Sequence, residues 1–258
     1  MASQQQLAQN SNNTASALVM TTHPDLDLNK TIRPGLDILA NEIVIGLKKR
    51  TRFKANNKVY EPGLVITNAD ISLLDYELAK IEQCHAELGR YAFATQDAFS
   101  DVSQISNVIN RTAPESPVQK MASGVGVRLI DFYRNWTSKA CPPGEDSNTF
   151  GETVTADVSA LLAIMERVNL GKLVAESKLT EMPDAFIATG GDRQSMLDLI
   201  VRKDREGKVI ELAEALALHY DLDKQHAVEV FKFMIEVTVD IEVDYLRMRL
   251  VQLGHYSP

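Results

Sequence analysis

The feature that most narrows what this chain can fold into is its last long segment, Lys224 to Leu253, where about 30 residues run without a Gly or a Pro. Inside it Val237, Val239, Ile241, Val243 and Tyr245 alternate with polar partners, which over so few positions is a strand pattern. Length decides against a strand, because strands seldom exceed about 10 residues. Phe231, Met234, Ile235, Ile241 and Tyr245 also fall on one helical stripe, so the segment reads as a single helix over about 223–254.

The same period recurs upstream. Leu36, Leu39, Ile43 and Leu47 share one face of a helix over about 32–53, and Leu74, Leu78, Ile81 and Leu88 do so over about 70–91, where Gly89 marks the end. A third helix spans about 121–139 and stops before Pro142, Pro143 and Gly144. The strongest pattern covers about 156–179, with Val158, Leu161, Leu162, Met165, Val168 and Leu173 at helical spacing. Thr155 is placed to cap it, and Asp157 suits its positive end. Shorter helices fit 193–203 and 205–220. Asn56, Asn57, Pro62 and Gly63 signal loops, and the polar stretch 92–120, with Pro114 and Pro117, is expected to cross the surface with one short helix. No segment argues strongly for a sheet, so the expected fold is all-α, a single large domain over 29–258. Residues 1–28, rich in Gln, Asn, Ser and Thr, cannot bury enough surface to order themselves and are expected to be a flexible tail.

An apolar fraction of 45% with 24% charged residues supports a sizeable core in a soluble protein. The net charge of -8 draws the chain to neither nucleic acid nor an anionic membrane, so a small anionic ligand needs a local basic pocket. Cys84 and Cys141 are too few for a disulfide framework or a metal cluster and read as free thiols. The N-terminus lacks the basic start and apolar run of a signal peptide, which points to the cytoplasm. Secretion is the alternative if the sequence begins at a mature N-terminus. No run of 18 apolar residues predicts a membrane span. A Walker loop, a dinucleotide fingerprint and zinc spacing are all missing, and the paired glycines of TGGDR at 189–193 look like a helix stop and a turn. The five histidines lack metal-ligand spacing; His85 and His219 read as packing or surface residues. No metal and no cofactor is expected.

Three pairs stand out at helical spacing. Arg167 and Lys178, eleven residues apart, fall on one face about 16 Å apart along a helix axis, within reach of one anion. Two solvated surface charges are the plainer explanation. Arg202 and Glu206 are spaced i, i+4, which on any exposed helix gives a weak ion pair. Thr238 and Glu242, again i, i+4, share the apolar stripe of the last helix, so the Glu242 carboxyl falls beside the buried side, where burial raises its pKa. The alternative is a partly buried glutamate satisfied by Arg247 or Arg249 of its own helix.

The segment TFGETVTADVSALLAIMERVNLGKLVAESKL at 149–179 closely resembles the central motif of fungal and plant chorismate mutases, approximately FGSxATxDxxxLQxLSRRIHxGKFVAExK. TIRPGLDILANEIVIGLKKRTRFKANNKVYEPG at 31–63 resembles the family's opening arginine helix. SLLDYELAKIEQCHAELGRY at 72–91 matches a further block, and TVDIEVDYLRMRL at 238–250 is similar to the closing TKEVEVEYLLRRL. The resemblance implies an all-helical homodimer that rearranges chorismate to prephenate in a pocket within each subunit. It places Arg33, Arg167 and Lys178 on the two carboxylates and the ether oxygen, Glu206 on the substrate hydroxyl, Thr238 and Glu242 near the carboxylate and ether oxygen, and Val174 at a backbone position lining the pocket. Arg202 departs from the family, which has asparagine or aspartate there; it is expected to bind a carboxylate or to change substrate preference. Arg90, Gly151 and Thr155 match residues of the family's effector site for aromatic amino acids. Gly89, where regulated fungal enzymes have a second arginine, and Glu152, where they have a serine, argue against regulation by tyrosine or tryptophan. The rival readings are an isochorismate pyruvate lyase and a secreted helical interaction protein on the same architecture.

Overall fold

The computed structural model describes residues 26–112 and 115–256. A π turn, Leu28–Ile32, leads into α1 (Arg33–Arg50), followed by α2 (Leu73–Glu87), α3 (Gly126–Ala140), α4 (Phe150–Asn169), α5 (Gly171–Glu181), α6 (Pro183–Ala188), α7 (Arg193–Ile200), α8 (Lys203–His219) and α9 (Lys224–Gln252). Among the described residues the only β pairing is an isolated bridge between Pro62 and Ser72, so the fold is all-α as expected. Residues 1–25, most of the expected tail, lie outside the described residues. Leu26 is buried, and its carbonyl accepts a hydrogen bond from Ser177 Oγ on α5.

The long final helix organises the rest. Its first half carries Val230, Phe231, Met234, Val237 and Ile241 into a core shared with α1, α3, α4 and α8. Its second half carries Val243, Tyr245, Leu246 and Leu250 into a separate cluster with Leu179, Phe186, Met196 and Ile200 from α5, α6 and α7. Each fully buried aliphatic side chain of this kind contributes about 1.5–3 kcal/mol. α1 lies along α4, brought close at Gly46, where a Cβ would already stand 3.4 Å from Ala160.

Several expectations need correction. The helix read over 156–179 is two helices that meet at Leu170, and α4 begins six residues earlier than expected, at Phe150. Thr155 therefore lies inside α4 and caps nothing. Asp157 is no end-of-helix charge either: it is fully buried and pairs with Arg50 of α1 at 2.6 Å. Both departures follow from tertiary contacts that the apolar periodicity does not encode. The short helix expected in 92–120 is absent among the described residues, where only the end of a 3-10 turn at Arg90–Ala92 enters the segment. Buried charges hold that segment instead: the Glu82 carboxylate accepts from the Phe99 and Ser100 amides at 2.7 Å, and Lys172 Nζ reaches Asp97 and the carbonyls of Ala94 and Met121. With its polar backbone groups satisfied in this way, the chain has no need to coil.

Candidate active site

A cavity of about 460 Å³ opens between the π turn, α1, α4, α5, α8 and α9. Arg33 enters it from the start of α1, Arg167 from the last turn of α4, Val174 and Lys178 from α5, Arg202 and Glu206 from the start of α8, and Thr238 and Glu242 from α9. All eight positions expected to bind or transform a substrate thus line one space. The break at Leu170 does not separate Arg167 from Lys178. Gly171, the first residue of α5, lets α9 pass so closely that a Cβ there would stand 2.9 Å from Thr238 Cγ2, and this approach brings Glu242 of α9 against Lys178 of α5.

Lys178 Nζ donates to Glu242 Oε2 at 2.8 Å and to the Ile200 carbonyl at 3.0 Å. Burial pushes the Glu242 carboxyl above the usual carboxylate range, and the Lys178 ammonium opposes part of that rise. The partners expected for Glu242 from its own helix are engaged elsewhere. Arg249 binds Glu176 with Nε at 2.9 Å and Nη2 at 3.1 Å, and Arg247 Nε donates to the Gly191 carbonyl. Their position on the helix carries them off the Glu242 face. Thr238 Oγ1 donates back to the Met234 carbonyl at 2.7 Å, which fixes its rotamer.

Arg167 is buried to 5% exposure, yet its Nε meets no acceptor among the described residues. Its guanidinium lies over the Phe231 ring, 5.4 Å from the centroid. Burial presses its pKa down to about 10, with the Asp37 charge acting in the opposite direction, so the group remains a cation at neutral pH. Arg33 is half-buried and donates to Asn29 Oδ1 across one turn.

The sequence reading passed over three charged lining residues: Asp37, Arg205 and Lys208. Their signal was available. Arg205, Lys208, Val209 and Leu212 follow the i, i+3, i+4, i+7 spacing of one face of α8, and Asp37 lies four residues after Arg33. With them the cavity has six basic side chains, Arg33, Arg167, Lys178, Arg202, Arg205 and Lys208, against the three acids Asp37, Glu206 and Glu242. A chain of net charge -8 has gathered a positive lining at one place, the local basic pocket that an anionic ligand requires.

Arg90, Gly151 and Thr155 lie apart from this cavity. Arg90 Nη2 donates to Glu166 Oε2 at 2.7 Å and Nε to Gln96 Oε1 at 3.0 Å. Gly151 and Thr155 are exposed near the start of α4, with Thr155 about 16 Å along the axis from Glu166. Within one chain, then, the two parts of the expected effector site do not meet.

Similarity to known proteins points to one family. The sequence pattern of chorismate mutase type II matches residues 151–243, which takes in α4, α5 and most of α9. The chain is 27% identical to the chorismate mutase of Schizosaccharomyces pombe over 242 residues, covering 86% of this chain and 96% of that one. It is 29% identical to the chorismate mutase of Emericella nidulans over 249 residues, covering 87% and 93%. A crystal structure of a Candida albicans chorismate mutase in complex with L-tryptophan superposes with a TM-score of 0.82 at 25% identity, covering 90% of this chain and 96% of that one. The chain is similar to the type II chorismate mutases over most of its length. The chloroplast chorismate mutase of Zea mays shares the fold at a TM-score of 0.78 and 22% identity, over 90% of this chain and 98% of that one. The matched stretch of the chorismate mutase pattern holds seven of the eight lining positions named above, from Arg167 to Glu242; Arg33 precedes it and Glu242 falls just inside its end. The Arg202 side chain stands exposed at the mouth, with no hydrogen-bond partner among the described residues.

Proposed function

We propose that this cavity rearranges chorismate to prephenate, with Arg33, Arg167 and Lys178 on the two carboxylates and the ether oxygen, and Glu206 on the ring hydroxyl. The observation that carries the reading is the placement of a buried carboxyl, Glu242, 2.8 Å from Lys178, in the same space as an Arg167 whose Nε has no partner among the described residues. The rearrangement breaks one C–O bond and forms one C–C bond within a single molecule, with no nucleophile and no net proton transfer. Two things accelerate it: a compact conformer held with the reacting carbons together, and charge stabilisation at the ether oxygen as its bond breaks. The basic lining grips both carboxylates, which folds the side chain over the ring. Lys178 supplies one donor to the ether oxygen. Glu242 supplies the second only while protonated, and its burial favours that form. Val174 and Thr238 shape the wall between, and Arg202 adds a cation at the mouth. The reading also includes a homodimer, implied by the family resemblance and tested by light scattering, and a cytoplasmic location, tested by fractionation.

The test is ultraviolet loss of chorismate by the purified full chain, with product analysis after incubation with chorismate and with isochorismate. Prephenate from chorismate supports the reading; pyruvate released from isochorismate alone would replace it with a lyase. The role of Glu242 has its own signature. Protonated Glu242 donates and ionised Glu242 does not, so kcat falls as pH rises through its elevated pKa. Glu242→Gln keeps a donor at every pH and must lose that fall. A glutamine variant with the wild-type pH profile removes Glu242 from the mechanism.

A further inference from the structure

The proposed reaction uses eight of the lining residues and leaves three charged ones without a task. Arg205 and Lys208 have the sign expected around an anion. Asp37 has the opposite sign, and a negative charge beside a dicarboxylate requires a reason. It lines the cavity from α1, four residues after Arg33 and therefore on the same face, about 6 Å further along the axis. Its carboxylate forms no ion pair or hydrogen bond among the described residues. Arg167 faces the same space, buried, with one side covered by Phe231 and its Nε unpartnered among the described residues. A buried guanidinium without any counter-charge is costly. The negative charge of Asp37 opposes the effect of burial on Arg167.

We propose that Asp37 is a standing counter-anion that competes with a substrate carboxylate for Arg167 and so sets the affinity of the cavity for dianions. The inference rests on the mutase reading and assigns a residue that this reading leaves out. Asp37 is exposed, at the lip of the cavity, so it lowers the cost of holding Arg167 charged without closing a contact that would have to be broken. A substrate carboxylate that reaches Arg167 meets the Asp37 charge as a repulsion. The carboxylates of chorismate keep their charge through the rearrangement, so the repulsion is the same in the ground and transition states. It therefore raises KM and leaves kcat alone.

The experiment compares the full chain with Asp37→Asn and Asp37→Glu, using chorismate across a range of ionic strength. Asp37→Asn lowers KM about two- to fivefold at low salt, the range expected for one exposed charge interaction. Its kcat stays within about twofold. The difference shrinks toward nothing near 1 M salt, because an exposed charge is screened. Asp37→Glu, which keeps the charge, keeps the wild-type salt dependence. Isothermal titration with malonate as a plain dicarboxylate must show the same tightening in Asp37→Asn without reference to turnover. A wild-type chain that binds malonate but leaves chorismate intact overturns the mutase reading and leaves the malonate comparison to judge Asp37. A KM and a malonate affinity that are unchanged or weakened in Asp37→Asn overturn the proposal itself.

Discussion

Replacing Gly171 with alanine drives a methyl group into the closest helix approach at the site. Its carbon would stand 2.9 Å from Thr238 Cγ2, 3.3 Å from the Thr238 carbonyl oxygen and 3.6 Å from Glu242 Cγ. Carbon pairs rest at about 3.5–4.0 Å, so the methyl–methyl overlap is roughly 0.6 Å. Rotating Thr238 away gives up its 2.7 Å hydrogen bond to the Met234 carbonyl, worth about 1 kcal/mol, and leaves the contact with its own carbonyl untouched. Relief therefore comes from α5 and α9 moving apart by about half an ångström. Overpacking of this kind costs about 1–3 kcal/mol. Alanine returns about 1 kcal/mol at most as the better helix former, which leaves a net loss of about 0–2 kcal/mol if the full return is realised. Activity loses more than stability does, because the shifted strip of α9 carries Thr238 and Glu242. If a misplacement of about 1 Å costs on the order of a hundredfold, half of that costs about tenfold in kcat. Urea unfolding measures the first quantity and chorismate loss at saturation the second. Gly207, with nothing within 4 Å of its added Cβ, is the control: Gly207→Ala gains about 0.5–1 kcal/mol from helix propensity alone. A Gly171→Ala variant as stable and as fast as wild type would refute the reasoning, because it would show that the contact with Thr238 does not hold the site.

Arg202 occupies the N-cap of α8 in extended geometry, φ -131 and ψ 90, yet its side chain caps nothing. Arg202→Asn is expected to raise unfolding free energy by about 0.5–1 kcal/mol through a new cap, while KM for chorismate rises by about two- to fivefold from the lost cation; a lower KM would exclude Arg202 from substrate binding. Far from the cavity, Asp157→Ala leaves Arg50 buried without its partner, and chemical denaturation should show a loss of about 3–5 kcal/mol. A loss below about 1 kcal/mol would mean that the Lys54 and Ala55 carbonyls and Tyr60 already satisfy Arg50.

Periodicity made the long α9 and the face of α1 legible, because each is amphipathic over many turns and its apolar residues are those that the two cores bury. The joint at Leu170 was not legible, since apolar spacing runs through it without interruption from α4 into α5. What bends the chain there is a neighbour: Gly171 is small where Thr238, 67 positions away, comes close. Asp157 was misread for the same reason. Its place in an apolar helix suggests a charge near an end, whereas it is the buried end of a pair with Arg50, 107 positions away. Within the cavity, pair spacing found Thr238 with Glu242 and Arg202 with Glu206. Arg33 came only through the resemblance, because nothing in its own segment marks it. Asp37, Arg205 and Lys208 were missed because a charged residue on an exposed helix reads as solvated until the space opposite it is known.

The cations themselves separate architecture from chemistry. Three basic side chains with little or no exposure are matched to carboxylates: Arg50 to Asp157 at 2.6 Å, Lys172 to Asp97 at 3.0 Å and Arg249 to Glu176 at 2.9 Å. Each ties distant segments together, and each would leave an uncompensated buried charge if its partner were removed. Arg167 is as deeply buried as these, yet it has an aromatic ring on one face, a distant Asp37 and no hydrogen bond among the described residues. A structural arginine so placed would cost stability and return nothing. The arrangement makes physical sense if the missing acceptors belong to a bound anion whose binding repays the burial. The same contrast distinguishes Lys178 from Lys172. Lys172 has all its donors taken by one segment that it holds in place, while Lys178 shares its donors with Glu242, a carboxyl that burial pushes toward the neutral form and that can release it to a substrate.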